Sequence, residues 1–201
     1  MQNDIKALIW DMGGVILQEK NPEPRMKLAD EFHIKLSELY YQVFNGELSN
    51  RATVGEILEK ELWENLSQSF NIPPEKFTDF FARFWEGDKI DSDVRDYIQK
   101  KKGQFQIALL SNAWSDTRYW LDYYDITDLF DEIVISAEVK LAKPDPAIYH
   151  EVLRRLSIAP EQAIFVDDRE ENIAAANQLG MHGVVFKTTQ QALEDVEKLL
   201  Q

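Results

Sequence analysis

Apolar positions divide the chain into three stretches. Residues 5–10 (Ile-Lys-Ala-Leu-Ile-Trp) form a short apolar run that stops at Asp11 and is followed by Gly13-Gly14. A run of that length closed by glycines predicts a buried strand. From about 22 to 101 the pattern is helical, with Leu, Phe, Tyr or Trp at steps of three and four in segments 25–33, 37–45, 53–63 and 74–86, and a last segment at 92–101. No strand-like alternation is visible in that stretch. From 105 onward short apolar runs alternate with helical segments: strands at 105–110, 132–136, 163–166 and 183–186, helices at 114–123, 146–156, 169–179 and 189–200.

Strands alternating with helices predict an α/β fold, a doubly wound parallel sheet covered on both faces, which the strand at 5–10 joins. The helical stretch is then an insertion after the first strand. The expected division is a sheet-bearing core of residues 1–20 and 90–201 and an inserted helical domain of residues 21–89.

Open parallel sheets bind ligands beyond the carboxyl ends of their strands. The first strand ends in Asp11-Met12-Gly13-Gly14-Val15 and the second in Ser111-Asn112. The loop after the third holds Lys143-Pro144-Asp145-Pro146, and the fourth ends in Asp167-Asp168. Each has a plain structural reading. Asp11 before glycine suits a turn, and Ser111 suits a helix N-cap. Asp145 before Pro146 suits an N-cap with proline at the first helical position. Asp168 with Glu171 suits a capping box, and Lys143 a solvated surface. Their joint occurrence at successive strand ends favours a shared site.

Composition narrows the chemistry. With 44% apolar and 29% charged residues the chain is ordinary globular material, not a disordered one. Its 201 residues suffice to bury roughly 70% of the extended surface in one domain carrying an insert. The net charge of −14 repels nucleic-acid phosphate and anionic lipid, so neither is expected as a partner. Cysteine is absent, which removes disulfides, thiolate metal sites and cysteine nucleophiles. No signal-like or membrane-spanning run is visible, and a cytoplasmic location is expected. The histidines, His33, His150 and His182, are scattered without metal spacing.

The four strand-end motifs resemble those of the haloacid dehalogenase (HAD) superfamily of hydrolases, in the branch with a helical cap inserted after the first motif. The match rests on Asp11 through Val15, Ser111-Asn112, Lys143-Pro144, and Asp167-Asp168 with Asn172. The segment from Ile164 through Ala176, closed by Leu179-Gly180-Met181, is an especially close match to the fourth motif. The resemblance implies a Rossmann-like core and an Asp11 nucleophile that forms an acyl phosphate. It implies Mg2+ held by Asp11, the Gly13 carbonyl and Asp168, with Asp167 and Asn172 close behind. Ser111 and Asn112 would donate hydrogen bonds to the phosphoryl group, with Gly14 letting the backbone approach it, and Lys143 would neutralise the charge. Trp114 is a candidate for lining the substrate, and the turn at Asn45-Gly46-Glu47 for reaching the site from the helical insertion.

One position departs from the family. Most phosphatases of this family place a second aspartate two residues after the nucleophile as general acid and base; here Gly13 stands there. General acid–base help is worth about 10²–10⁴ in rate. Three readings follow: a phosphatase for esters with good leaving groups, such as sugar 1-phosphates; a phosphometabolite-binding protein with little turnover; and a 2-haloacid dehalogenase, against which the paired acids Asp167 and Asp168 count. The expected partner is a small-molecule phosphate ester, and the protein a monomer or a homodimer.

Overall fold

The structure is a computed structural model that describes residues 4–201, so residues 1–3 of the expected core lie outside the described residues. The central strand, β1 (Ala7–Trp10), is buried along its whole length. A ribbon of two short strands, β2 (Leu17–Glu19) and β3 (Asp88–Ile90), brackets a group of five helices. These are α1 (Glu23–Glu31), α2 (Leu36–Phe44), α3 (Glu47–Thr53), α4 (Glu59–Ser69) and α5 (Phe77–Trp85). Then come α6 (Ser92–Lys101), β4 (Gln106–Ser111), α7 (Thr117–Tyr123), β5 (Glu132–Ile135), α8 (Ser136–Val139) and α9 (Pro146–Leu156). The chain closes with β6 (Ala163–Asp167), α10 (Glu170–Gln178), β7 (His182–Val185) and α11 (Thr189–Leu199).

Five parallel strands form one sheet in the order β5-β4-β1-β6-β7. Alternate residues of each strand feed opposite layers. Leu8, Trp10, Ile107, Leu109, Ile164 and Val166 pack with Val94, Ile98 and Val196 on one face. Ala7, Ile9, Ala108, Leu110 and Phe165 pack with Tyr149, Val152 and Ile173 on the other. This period-2 division, with helices on both sides, is the doubly wound α/β arrangement expected from the alternation. Because β1 lies between β4 and β6, the chain reverses direction of strand addition beside it. Ligand crevices of such sheets open at that reversal.

The helices between β2 and β3 have a core of their own, centred on Leu28, Leu39, Val43, Leu62, Trp63, Leu66, Phe80 and Phe84. The helix expected at 53–63 is broken: α3 ends at Thr53 and α4 starts at Glu59. Gly55 sits between them at φ +68°, where a Cβ would lie 2.2 Å from the Ala137 carbonyl oxygen. That close approach against α8 needs glycine and ends the helix. The β2–β3 ribbon was not expected either. Its pairs, Leu17–Ile90, Gln18–Lys89 and Glu19–Asp88, join segments some seventy residues apart and carry no apolar alternation.

Helix starts follow local chemistry where a short polar side chain is available. Asp91 caps α6 through Asp93 N and Val94 N, and Thr188 with Gln191 forms a capping box on α11. Asp145 accepts from Ala147 N with Pro146 at the first position, as its sequence suggested. Ser111 is the last residue of β4, not an N-cap. The capping box expected of Asp168 and Glu171 does not form: α10 begins after Arg169, whose N–H donates instead to Asp167 Oδ1 at 2.8 Å. Among the described residues no helix is long and apolar enough to cross a membrane.

Candidate active site

Asp11 follows the central strand directly, and its N–H continues the ladder to the Val166 carbonyl at 2.9 Å. The residue is only 7% exposed. Its Oδ1 accepts from Met12 N at 2.7 Å and faces Lys143 Nζ at 2.9 Å. Lys143 reaches in from the loop after α8, and its ammonium also meets Asp167 Oδ2 at 2.6 Å and donates to the Leu110 carbonyl at 2.9 Å. Three partners use all three ammonium protons.

Asn112 fixes the backbone that delivers this lysine. Lys143 N donates to Asn112 Oδ1 and Asn112 Nδ2 donates to Lys143 O, both at 2.8 Å. One Asn112 amide proton is thus committed to the Lys143 peptide, so Asn112 positions the lysine, and its second amide proton stays available to a phosphoryl oxygen. Ser111 is buried at the end of β4, paired with Ile135 of β5, one strand across from Asp11.

The twin acids behave differently. Asp167 is fully buried; Asn172 Nδ2 donates to both of its oxygens at 3.0 Å. With Lys143 and the Arg169 N–H it has no free lone pair to spare for a ligand in the same plane. Asp168 is exposed, one residue further along the chain. One oxygen from each of Asp11, Asp167 and Asp168 lies within 4.8 Å of the others. Three carboxylates therefore face one ammonium. Burial, aided by the charges of Asp167 and Asp168 and opposed by Lys143, pushes Asp11 up to about 7. Burial and then the charge of Asp167 also raise Asp168.

The excess of negative charge suits a divalent cation. After Asp167 is discounted, Asp11 and Asp168 remain, a small carboxylate set of the kind magnesium takes with retained waters. Asn172 Oδ1, on the amide that holds Asp167, is buried without a hydrogen-bond partner, an acceptor that a hydrated cation would satisfy. Gly14 makes room: it has φ +75°, and a Cβ there would lie 2.4 Å from Asp168 Oδ2. Gly13 is different, because a Cβ there would meet nothing within 4 Å. A larger side chain fits at position 13.

Trp114 is half-buried where the loop after β4 meets the helical unit. Its ring centroid is 6.1 Å from that of Trp63 and 6.2 Å from that of Trp85, so it packs into the aromatic core of the helical unit. Two residues bring that unit to the site. Arg169, beside Asp168, donates from Nη2 to Asn45 Oδ1 at 2.8 Å. The Asn45 turn was singled out in the sequence; Arg169 was not, although its place directly after the acid pair was a usable signal.

The chain matches the family of haloacid dehalogenase-like hydrolases over residues 5–180. It is 28% identical to the sesquiterpene phosphatase astK of Aspergillus oryzae over 186 residues, covering 92% of this chain and 91% of that protein. It is 27% identical to the phosphorylated carbohydrates phosphatase of Thermotoga maritima, covering 98% and 91%. It is 28% identical to drimenol cyclase drtB of Aspergillus calidoustus, but spans only 34% of that longer protein. Among solved structures, the HAD-family enzyme bt-2542 of Bacteroides thetaiotaomicron, as its magnesium complex, superposes with a TM-score of 0.76 at 25% identity, covering 98% of this chain and 99% of that one.

Proposed function

The chain belongs to the haloacid dehalogenase-like hydrolases, and on that premise we propose that it is a magnesium-dependent phosphatase acting on a small phosphorylated metabolite. The single observation that carries the reading is the cluster of Asp11, Asp167 and Asp168 within 4.8 Å, with Lys143 between Asp11 and Asp167. Relatives that span nearly the whole chain are phosphatases of a sesquiterpene and of phosphorylated carbohydrates, and a solved neighbour is a magnesium complex.

In this reading Asp11 is the nucleophile. Its free oxygen attacks phosphorus in line; the bond to the leaving oxygen breaks as the Asp11–phosphorus bond forms. Lys143 keeps Asp11 ionised and aimed, and Asn112 and Asp167 keep Lys143 in place. Ser111, Asn112 and the Gly13 N–H, whose neighbours Met12 N and Gly14 N already donate within the loop, receive the phosphoryl oxygens. Water then cleaves the aspartyl phosphate, releasing phosphate and restoring the carboxylate. Magnesium, held by Asp11, Asp168 and the Gly13 carbonyl, would supply the positive charge that lets two anions approach. The five helices between β2 and β3 act as a cap that shields the site, reached through the Asn45–Arg169 contact.

Gly13 supplies no general acid, so the leaving oxygen departs as an anion or takes a proton from solvent. The substrate is therefore an ester of a good leaving group, such as a sugar 1-phosphate. The same glycine favours one second reading, a phosphometabolite-binding protein with little turnover. A phosphate-release screen over sugar, aryl and alkyl phosphates, with magnesium and with a chelator, separates them. We expect magnesium-dependent release that is lost in Asp11→Asn, with sugar 1-phosphates and aryl phosphates ahead of alkyl phosphates. Gly13→Asp, which the open space admits, should speed alkyl phosphates by up to about 10². Release that survives in Asp11→Asn overturns the mechanism, and tight ester binding without turnover across the panel selects the binding protein.

A further inference from the structure

The geometry points to a second ligand site: a cavity between the start of α4 and the loop after β4 that takes the head of a small alkylammonium cation. The cavity holds about 160 Å³ and is lined by Glu59, Lys60, Trp63, Phe77, Phe81 and Asp116. Cavities of about that size accept a group as large as benzene. No residue of the carboxylate cluster at Asp11 lines it, and the proposed phosphatase mechanism makes no use of it.

Its walls and its charge are of two kinds. Trp63 and Phe81 stand at 88° with centroids 5.0 Å apart, making an aromatic corner. Phe77, tilted 37° from Phe81 at 6.5 Å, continues that wall. Glu59 is only 4% exposed; its carboxylate meets the Trp63 indole at 3.4 Å and the Asp116 N–H and Trp120 indole, all uncharged donors, and no cation among the described residues. The Ser115 hydroxyl accepts from Glu59 N at 3.0 Å and donates to Asp116 Oδ1 at 2.8 Å, which locks the two acidic residues on adjoining sides of the cavity. Lys60 does not neutralise them. Its ammonium turns out toward Glu64 at 3.7 Å, with the side chain 80% exposed.

A buried carboxylate without a cation is costly. Burial, and then the charge of Asp116, accordingly push Glu59 up to about 7. The missing partner is a cation that tolerates aromatic walls. A metal ion would need oxygen ligands that rings cannot give. An alkylammonium head places positive charge against the carboxylates and its methyl or methylene shoulders against the rings, the arrangement by which aromatic boxes hold quaternary ammonium groups.

Intrinsic tryptophan fluorescence of the full chain, titrated with choline and with its uncharged analogue 3,3-dimethyl-1-butanol, tests the site. We expect saturable quenching by choline, with the neutral analogue at least about tenfold weaker. Glu59→Gln should weaken choline by at least about tenfold, whereas Asp11→Asn should leave it unchanged. Equal binding of choline and the analogue, absence of saturation, or loss of binding in Asp11→Asn overturns the proposal. Should Glu59→Gln fail to fold, the comparison of the two ligands on the unaltered chain still decides. The titration needs no turnover, so failure of the phosphatase reading would leave its outcome intact.

Discussion

Lys143 spends its three ammonium protons on Asp11, Asp167 and the Leu110 carbonyl, so its task is to orient charge already built into the protein. On the proposed mechanism the substrate's charge is left to Ser111, Asn112, the Gly13 N–H and the cation. Glu59 shows the opposite condition, a buried acid without a cation, and its ionisation works against folding. The unfolded group ionises near its ordinary 4.5, the folded one only near 7. Its cost to stability therefore grows as pH rises from 4.5 to 7 and stays constant above, reaching roughly 3 kcal/mol at about 1.4 kcal/mol per pH unit. Glu59→Gln should thus match the parent in thermal unfolding at pH 4 and exceed it at pH 8 by up to about that amount. A variant less stable than the parent at pH 8 would show that the carboxylate is paired in solution. Glu59 drew no notice in the sequence, because nothing about an acid at a helix start tells that Trp63 and Ser115 will bury it.

Arg25 governs the next scale, the junction where the helical unit leaves and rejoins the core. It lies in α1 and is 3% exposed. Its Nη2 meets Asp88 Oδ2 of β3 at 2.7 Å, its Nη1 meets Glu19 Oε1 of β2 at 3.0 Å, and its Nε donates to the Phe84 carbonyl of α5 at 2.9 Å. The guanidinium also lies 4.3 Å from the Phe84 ring centroid. One side chain thus joins the two linking strands to two helices. Burial raises Asp88 despite Arg25, a sign of how dry the junction is. Arg25→Met should cost about 3–5 kcal/mol, because it leaves the buried Asp88 without its cation. Chemical denaturation measures the loss, and a change below about 1 kcal/mol would show that the junction is wet. In the Arg25→Met, Asp88→Asn pair the losses should be less than additive.

At the scale of the whole molecule, the net charge of −14 sets how an anion arrives. A phosphate ester approaches against a negative field, and salt shortens that field from about 30 Å at 0.01 M to about 8 Å at 0.15 M. At constant free magnesium, kcat/KM for a phosphate dianion should therefore rise severalfold over that range. A fall instead would mean that a local positive surface guides the substrate.

What could be read from the chain alone was whatever depends on near neighbours. Alternation of short apolar runs with helical periods determined the α/β class, since a period of 2 or 3.6 is a property of consecutive residues. The Asp145-Pro146 helix start was legible for the same reason. So were the acids and the lysine of the site, because a parallel sheet brings its strand ends to one edge whatever the rest of the chain does. Tertiary structure decided the matters that depend on distant partners. It tied Asn112 to the Lys143 peptide, drew Trp114 into the helical core, broke the expected helix at Gly55 and paired β2 with β3. It also separated the twin acids: Asp167 is buried under Lys143 and Asn172 while Asp168 stays exposed. Each of these outcomes is a competition for hydrogen bonds or space between segments far apart in sequence, and spacing along a chain carries no record of who wins it.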